Sequence, residues 1–242
     1  LLPILGIAFL AGLVQGLSGF GSGLVAVPLL ALLLPIETVV PLMTLLSTLI
    51  SVQNLLHLRS SVRFDRVAPL LAGYVLGTPL GLYLLTRAPA ALMLGVLGVF
   101  LTGYALLSLS GRQPRAPWLR EWRFGLGVVS GALGSAFSTN GPPVILHVAA
   151  HPEWEPDQQK ATLALFFALS SVITLFAFGV GGLFTGEVLG WFLWGIPLLA
   201  VGTQAGILLY RRLGPHDYRR LTFGLILAMG LLLLWRALAL GP

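Results

Sequence analysis

The feature that most restricts this chain is a succession of eight apolar blocks parted by short polar loops. They fall at residues 3–34, 38–58, 67–86, 90–110, 124–150, 161–183, 187–209 and 221–240. A membrane helix needs about 20 predominantly apolar residues, and six of the blocks have the length of one crossing. Only 9% of the residues are charged and the mean hydropathy is +0.94, whereas a soluble domain carries about 25% charge. The chain therefore lacks a polar coat. It reads as an all-α integral membrane protein, because helices satisfy their own backbone in lipid. Cysteine is absent, which excludes disulfides, thiol redox chemistry and Cys-ligated metals. No basic residues precede the first block, as a secretory signal would require, so that block is expected within the fold.

Two blocks break the pattern. Residues 3–34 and 124–150 are longer and are interrupted by Gly, Ser and Pro, which weaken a helix interior. They also resemble each other. A shift of 115 places Phe9, Gly12, Val14, Gly16, Gly19 and Pro28 on Phe124, Gly127, Val129, Gly131, Gly134 and Pro143. Further on, Gly77-Thr78 and Gly81 recur as Gly202-Thr203 and Gly206 at a shift of 125. The ten-residue difference is assigned to the polar loop 151–160. The expected organisation is a first membrane repeat over 1–110, a cytoplasmic connector over 111–123 and a second membrane repeat over 124–242.

The basic residues then orient the halves. If every block crossed once, the 14 Arg and Lys would divide 8:6 between the two sides. If the two broken blocks instead dip in and return, loops 59–66, 111–123, 151–160 and 210–220 share one face with 12 of them. Only Arg87 and Arg236 remain opposite. Membrane proteins concentrate Lys and Arg on the cytoplasmic side, so the second arrangement is favoured. Each half becomes one re-entrant, broken helical hairpin plus three transmembrane helices, and the odd number of crossings makes the halves inverted repeats. The basic pI near 10.5 then marks the cytoplasmic face, and nucleic acid is not an expected partner. Inverted repeats with broken helices are a common plan for secondary transporters, with the substrate near the midplane.

The hairpin tips are the candidate site. The first reads Gly16-Leu17-Ser18-Gly19-Phe20-Gly21-Ser22-Gly23, and the second Gly134-Ser135-Ala136-Phe137-Ser138-Thr139-Asn140-Gly141-Pro142-Pro143. Non-helical backbone survives at membrane depth only where it is buried in protein or lines a cavity, so the tips should meet inside. Returning arms that start near Gly21 and Asn140 would point helix N-termini, with their N–H groups and partial positive charge, at the centre. Ser18, Gly19, Gly21, Ser22 and Gly23 on one tip, with Ser138, Thr139, Asn140 and Gly141 on the other, would hold an anion without Arg or Lys. Gln53 and Asn54 are second candidates, as buried amides tend to face a bundle interior. Gln15 stands just before the first tip, within reach of the site.

Other polar residues have plainer roles. Gly12, Gly16, Gly127 and Gly131 have the spacing of small residues that let helices approach closely. Thr44, Ser47, Thr48, Ser51, Ser170, Ser171 and Thr174 are expected to bond to carbonyls of their own helices. His147 reads as a lone interior histidine. No buried Asp or Glu is evident, so a coupling proton would have to use His57 or His147. No metal or cofactor is called for. Two other readings compete. Gly16-Leu17-Ser18-Gly19 matches the GxSG serine motif of intramembrane rhomboid proteases, although the repeat puts Leu133 at the serine position. An anion channel would use the same site.

The Gly-rich segments GLVQGLSGFGSGLVAVPLL and GVVSGALGSAFSTNGPPVIL each open a four-block half. With Asp65-Arg66-Val67-Ala68-Pro69 running through to Gly77-Thr78-Pro79-Leu80-Gly81, they resemble the TauE/SafE sulfite exporter family, the four-TMS sulfur-anion transporters. The second motif is degraded, with Ala136 and Ser138 where the first has Gly21 and Gly23. The resemblance covers nearly the whole chain. It implies transport of small sulfur oxyanions such as sulfite, sulfoacetate or other organosulfonates across the bacterial inner membrane.

Overall fold

The computed structural model describes residues 2–18, 22–58, 62–111, 117–210, 212 and 215–240. Every regular element in it is helical. The first broken block forms α1 (Leu2–Ser18) and α2 (Ser22–Leu30), followed by α3 (Ile36–Leu58), α4 (Phe64–Arg87) and α5 (Ala90–Leu109). A short α6 (Trp118–Glu121) lies in the connector. The second half repeats the order with α7 (Arg123–Phe137), α8 (Gly141–Ala149), α9 (Pro156–Val180), α10 (Gly186–Tyr210) and α11 (Pro215–Leu240). Helices α3, α4, α5, α9, α10 and α11 are long and apolar enough to cross a membrane, and the chain is a multi-pass all-α membrane protein. The two remaining blocks are broken where expected, and the returning arms begin at Ser22 and Gly141.

Each broken pair packs on itself, α1 on α2 and α7 on α8. The halves then interlock reciprocally. Helix α1 lies along α10 and α7 along α4, while α3 meets α9 and α5 meets α11. Glycine makes the first two contacts possible. A Cβ on Gly12 or Gly16 would strike the carbonyl oxygens of Leu199 and Thr203, and one on Gly202 or Gly206 those of Phe9 and Leu13. The α4–α7 seam is built alike, with Gly77 and Gly81 on Val128 and Ala132, and Gly127 and Gly131 on Leu70 and Tyr74. Close backbone approach of this kind is how helices associate where lipid supplies no hydrophobic drive. Gly95 faces Ala237, Gly98 faces Leu234, and Gly230 faces Thr102, so α5 and α11 run antiparallel.

The packing corrects the repeat register. Thr78 bonds back to Tyr74 O and Thr203 to Leu199 O, both at 2.8 Å, which keeps the shift of 125 for that pair of helices. Yet Gly77 rests on Val128 while Gly202 rests on Phe9, so Phe9 corresponds to Val128, a shift of 119. The starts of α2 and α8 at Ser22 and Gly141 give the same 119. Alignment at 115 is therefore one helical turn out of step. Glycines spaced by four fit either way, which is why the slip was invisible. Only residues 31–35 separate α2 from α3 and 150–155 separate α8 from α9, so no ten-residue insertion sits in the loop at 151–160.

Two arginines close the ends of the returning arms. Arg236 on α11 donates from Nη1 to Ala31 O at 3.2 Å, just past α2. Arg120 on α6 donates from Nε to Ala150 O at 2.7 Å, just past α8. Ala31 and Ala150 correspond at the same shift of 119. A cation at the negative end of a helix is stabilising.

Candidate substrate site

The two tips meet. Gly23 at the start of α2 lies directly against the carbonyl oxygen of Ser138, so that a Cβ there would collide with it. Ser138 closes α7 in the left-handed region, with φ 53°, and its N–H bonds to Gly134 O at 2.8 Å. That turn swings the chain into Thr139 and Asn140 and back into α8. Ser22, Gly23, Ser138, Thr139, Asn140 and Gly141 then line one cavity of about 60 Å³. A cavity needs about 15 Å³ of such space to admit a water, so this one has room for water or one small ion.

Among the described residues the lining contains no ionised group. Gln15, Ser47, Ser51 and Ser171 add polar surface, and Phe167 gives an apolar wall. Such a lining binds through neutral donors and backbone dipoles, which are stronger in a low dielectric than in water. The donors are unevenly shared between the tips. In α2 the first three residues, Ser22, Gly23 and Leu24, all carry N–H groups, although that of Ser22 is held by Gln15 Oε1 at 3.2 Å. In α8 the first three are Gly141, Pro142 and Pro143, and proline has no N–H. The second tip must therefore act mainly through side chains. Asn140 Nδ2 donates to Ser170 Oγ at 2.8 Å, and the same side chain borders the Tyr74 hydroxyl. Its backbone carbonyl accepts from Ser130 Oγ, and this fixes the turn. Thr139 is buried, and its hydroxyl lies a long 3.5 Å from Leu133 O, beyond ordinary hydrogen-bond length.

The remaining candidates are not among the residues described in this cavity. Ser18 is the last residue of α1, and Gly19 and Gly21 lie outside the described residues. The side chain of His57 is likewise outside them. Gln53 and Asn54 are exposed and stand apart from the tip cavity. With Thr203 and Gln204 they give the polar part of a second, larger cavity of about 590 Å³ between α3 and α10, whose wall is otherwise aliphatic.

Several contributors were not expected at the site. Ser47 and Ser51 do bond to carbonyls of α3, at 3.1 and 2.9 Å, and still line the cavity. Thr44 lies 2.9 Å from Val40 O and 3.1 Å from Ser138 Oγ, tying α3 to the second tip. The legible signal was the series Ser47, Ser51, Asn54, which at helical spacing forms one polar stripe on an apolar helix. His147 is also not alone. It is buried, donates from Nδ1 to Leu119 O at 2.7 Å, and packs edge-on to His151 with ring centroids 4.7 Å apart. His151 stacks on Trp154, and Trp154 carries the Arg66 guanidinium 4.4 Å over its ring. This ladder joins α8 to the start of α4, away from the tips.

A polar cavity lined from two broken helices inside a multi-pass bundle has the architecture of a membrane transporter. Comparison with known proteins agrees. The profile of the family described as "Sulfite exporter TauE/SafE" matches residues 4–233, and the chain belongs to that family, whose members are transporters rather than enzymes. It is 27% identical to the "Probable sulfite/organosulfonate exporter TauE" of Cupriavidus necator over 252 residues, covering 99% of this chain and 96% of that one. It is 29% identical over 181 residues to the "Probable inner membrane transporter protein TsaS" of Comamonas testosteroni, covering 72% and 75%. No solved structure matches the chain.

Proposed function

We propose that this transporter moves a small sulfur-containing anion, sulfite or an organosulfonate such as sulfoacetate, across the bacterial inner membrane by alternating access. The anion sits between the hairpin tips, held by backbone N–H groups of α2 and by Ser22, Ser138, Thr139 and Asn140. Gly23 and Gly141 shape the same pocket. The single observation that carries this reading is the cavity lined from both tips with polar groups and, among the described residues, no ionised side chain. Such a site favours a compact oxyanion that accepts several hydrogen bonds at once. The sulfite/organosulfonate name of the Cupriavidus necator relative supports the substrate class.

The two repeats are read as inverted, with loops 59–66, 111–123, 151–160 and 210–220 cytoplasmic and both termini outside. The antiparallel α5–α11 pair and the reciprocal seams support this, as does the 12:2 division of basic residues. The test of function is uptake of sulfite and of sulfoacetate into proteoliposomes. Saturable uptake is expected. Flux that rises linearly with concentration would favour a channel through the same site.

A further inference from the structure

We infer that the 590 Å³ cavity between α3 and α10 is a water-filled vestibule leading to the tip site, and that the Tyr74–Thr174 hydrogen bond latches shut the counterpart route between α4 and α9. The inference rests on the alternating-access reading above and assigns the state of its two gates. In the reciprocal packing, α10 against α3 corresponds to α4 against α9. At the register fixed by Thr78 and Thr203, Tyr74 on α4 corresponds to Leu199 on α10. The two positions behave differently. Leu199 lines the cavity that parts α10 from α3, with Ile50, Gln53, Asn54, Thr203 and Gln204 around it. Tyr74 instead reaches α9, its hydroxyl 2.6 Å from Thr174 Oγ1 and its ring edge-on to Phe166 at 5.6 Å. Both partners are buried, Tyr74 at 1% and Thr174 at 1% exposure.

The contents of the open side follow from its chemistry. Asn54 and Gln204 are exposed within membrane-spanning helices. Amides facing lipid tails are costly, and polar residues within membrane helices turn to protein or to a water-filled cavity. Water is therefore the occupant. Ser47 and Ser51 line the tip cavity and Asn54 lines the vestibule, so their shared stripe on α3 is a continuous polar track between the two. Under the proposed topology the C-terminal ends of α3 and α10 are cytoplasmic, and this structure is the inward-open state. The Tyr74 side chain is also packed by the second tip, since a Cβ on Gly134 would meet both its hydroxyl and Asn140 Cβ. Occupation of the tip is thereby transmitted to the latch.

The chain has no cysteine, so single thiols can be read in the natural background. Asn54→Cys, Thr203→Cys and Thr78→Cys would be treated in sealed vesicles of either orientation with a charged, membrane-impermeant methanethiosulfonate. The expected result is fast labelling of the thiols at 54 and 203 from the cytoplasmic side, with the thiol at 78 at least tenfold slower from either side. Adding Tyr74→Phe, which keeps the ring and its Phe166 contact, should speed labelling at 78 from the outside severalfold and slow it at 54. Failure of 54 and 203 to label would mean a lipid-filled groove and overturn the vestibule. Equal rates at 78 and 203, or rates unmoved by Tyr74→Phe, would overturn the latch. Labelling at 54 and 203 from the outside only would instead refute the inward-open assignment. Because the readout needs no substrate, its failure is separable from failure of the anion site, which shows in binding alone.

Discussion

Gly23 and Ser138 join the two halves of the protein at one point, the bare Cα of one resting on the carbonyl oxygen of the other. The contact depends on two backbone features, a missing side chain in α2 and a left-handed residue at the end of α7. Replacing Gly23 by Ala should push the tips apart and enlarge the space between the donors. Overpacking costs about 1–3 kcal/mol, so a lowered thermal midpoint in detergent is expected together with at least tenfold weaker anion binding. Normal binding by Gly23→Ala would show that the tips need not touch.

The glycine seams give a second contrast. Gly77→Ala should lower stability by about 1–3 kcal/mol, since its Cβ would enter the Val128 carbonyl. Gly103→Ala, on α5 with nothing within 4 Å of the new carbon, should be neutral or gain up to about 1 kcal/mol from helix propensity. Thermal unfolding of the two variants side by side checks the pair.

How much of this was legible in the sequence depended on the length scale of each signal. Six crossings and two breaks were readable because lipid imposes a length near 20 residues and tolerates few interruptions. Ser22, Gly23, Ser138, Thr139, Asn140 and Gly141, which line the tip cavity, stand out in the sequence because polar and glycine residues cluster at the breaks. The register between repeats slipped by four because Gly12, Gly16, Gly127 and Gly131 follow the helical turn itself. Pairings across the bundle, such as Tyr74 with Thr174 or Asn140 with Ser170, join residues far apart in sequence and leave no local trace. The place of Ser47 and Ser51 at the site is not legible, because the sequence shows the α3 carbonyls beside them and not the cavity they also face.

Arg236 offers a test of the returning arms. Its bond to Ala31 O holds the last turn of α2, and removing such a cation from a helix end costs about 0.3–1 kcal/mol. Arg236→Gln should reduce the thermal midpoint by a few degrees at most and leave the Arg120–Ala150 cap untouched. Hydrogen exchange should rise at the C-terminal end of α2 and not at that of α8. Equal rises in both arms would mean that the caps act through the whole bundle.

Sidedness follows from the division of the basic residues and can be read directly. A reporter fused after residue 242 should be active only outside the cytoplasm, and one inserted near residue 114 only inside. A cytoplasmic C-terminus would contradict the two-hairpin topology while leaving the tip cavity in place.

The central claim is that neutral groups from both tips hold one sulfur oxyanion. Equilibrium binding of sulfite and of sulfoacetate to purified protein tests it most directly, with Ser22→Leu and Asn140→Leu beside the native chain. Each substitution removes donors from one tip and narrows the cavity, and each should weaken binding at least tenfold, equivalent to about 1.4 kcal/mol or more, while the protein stays folded. Native affinity in both variants would place the anion somewhere else.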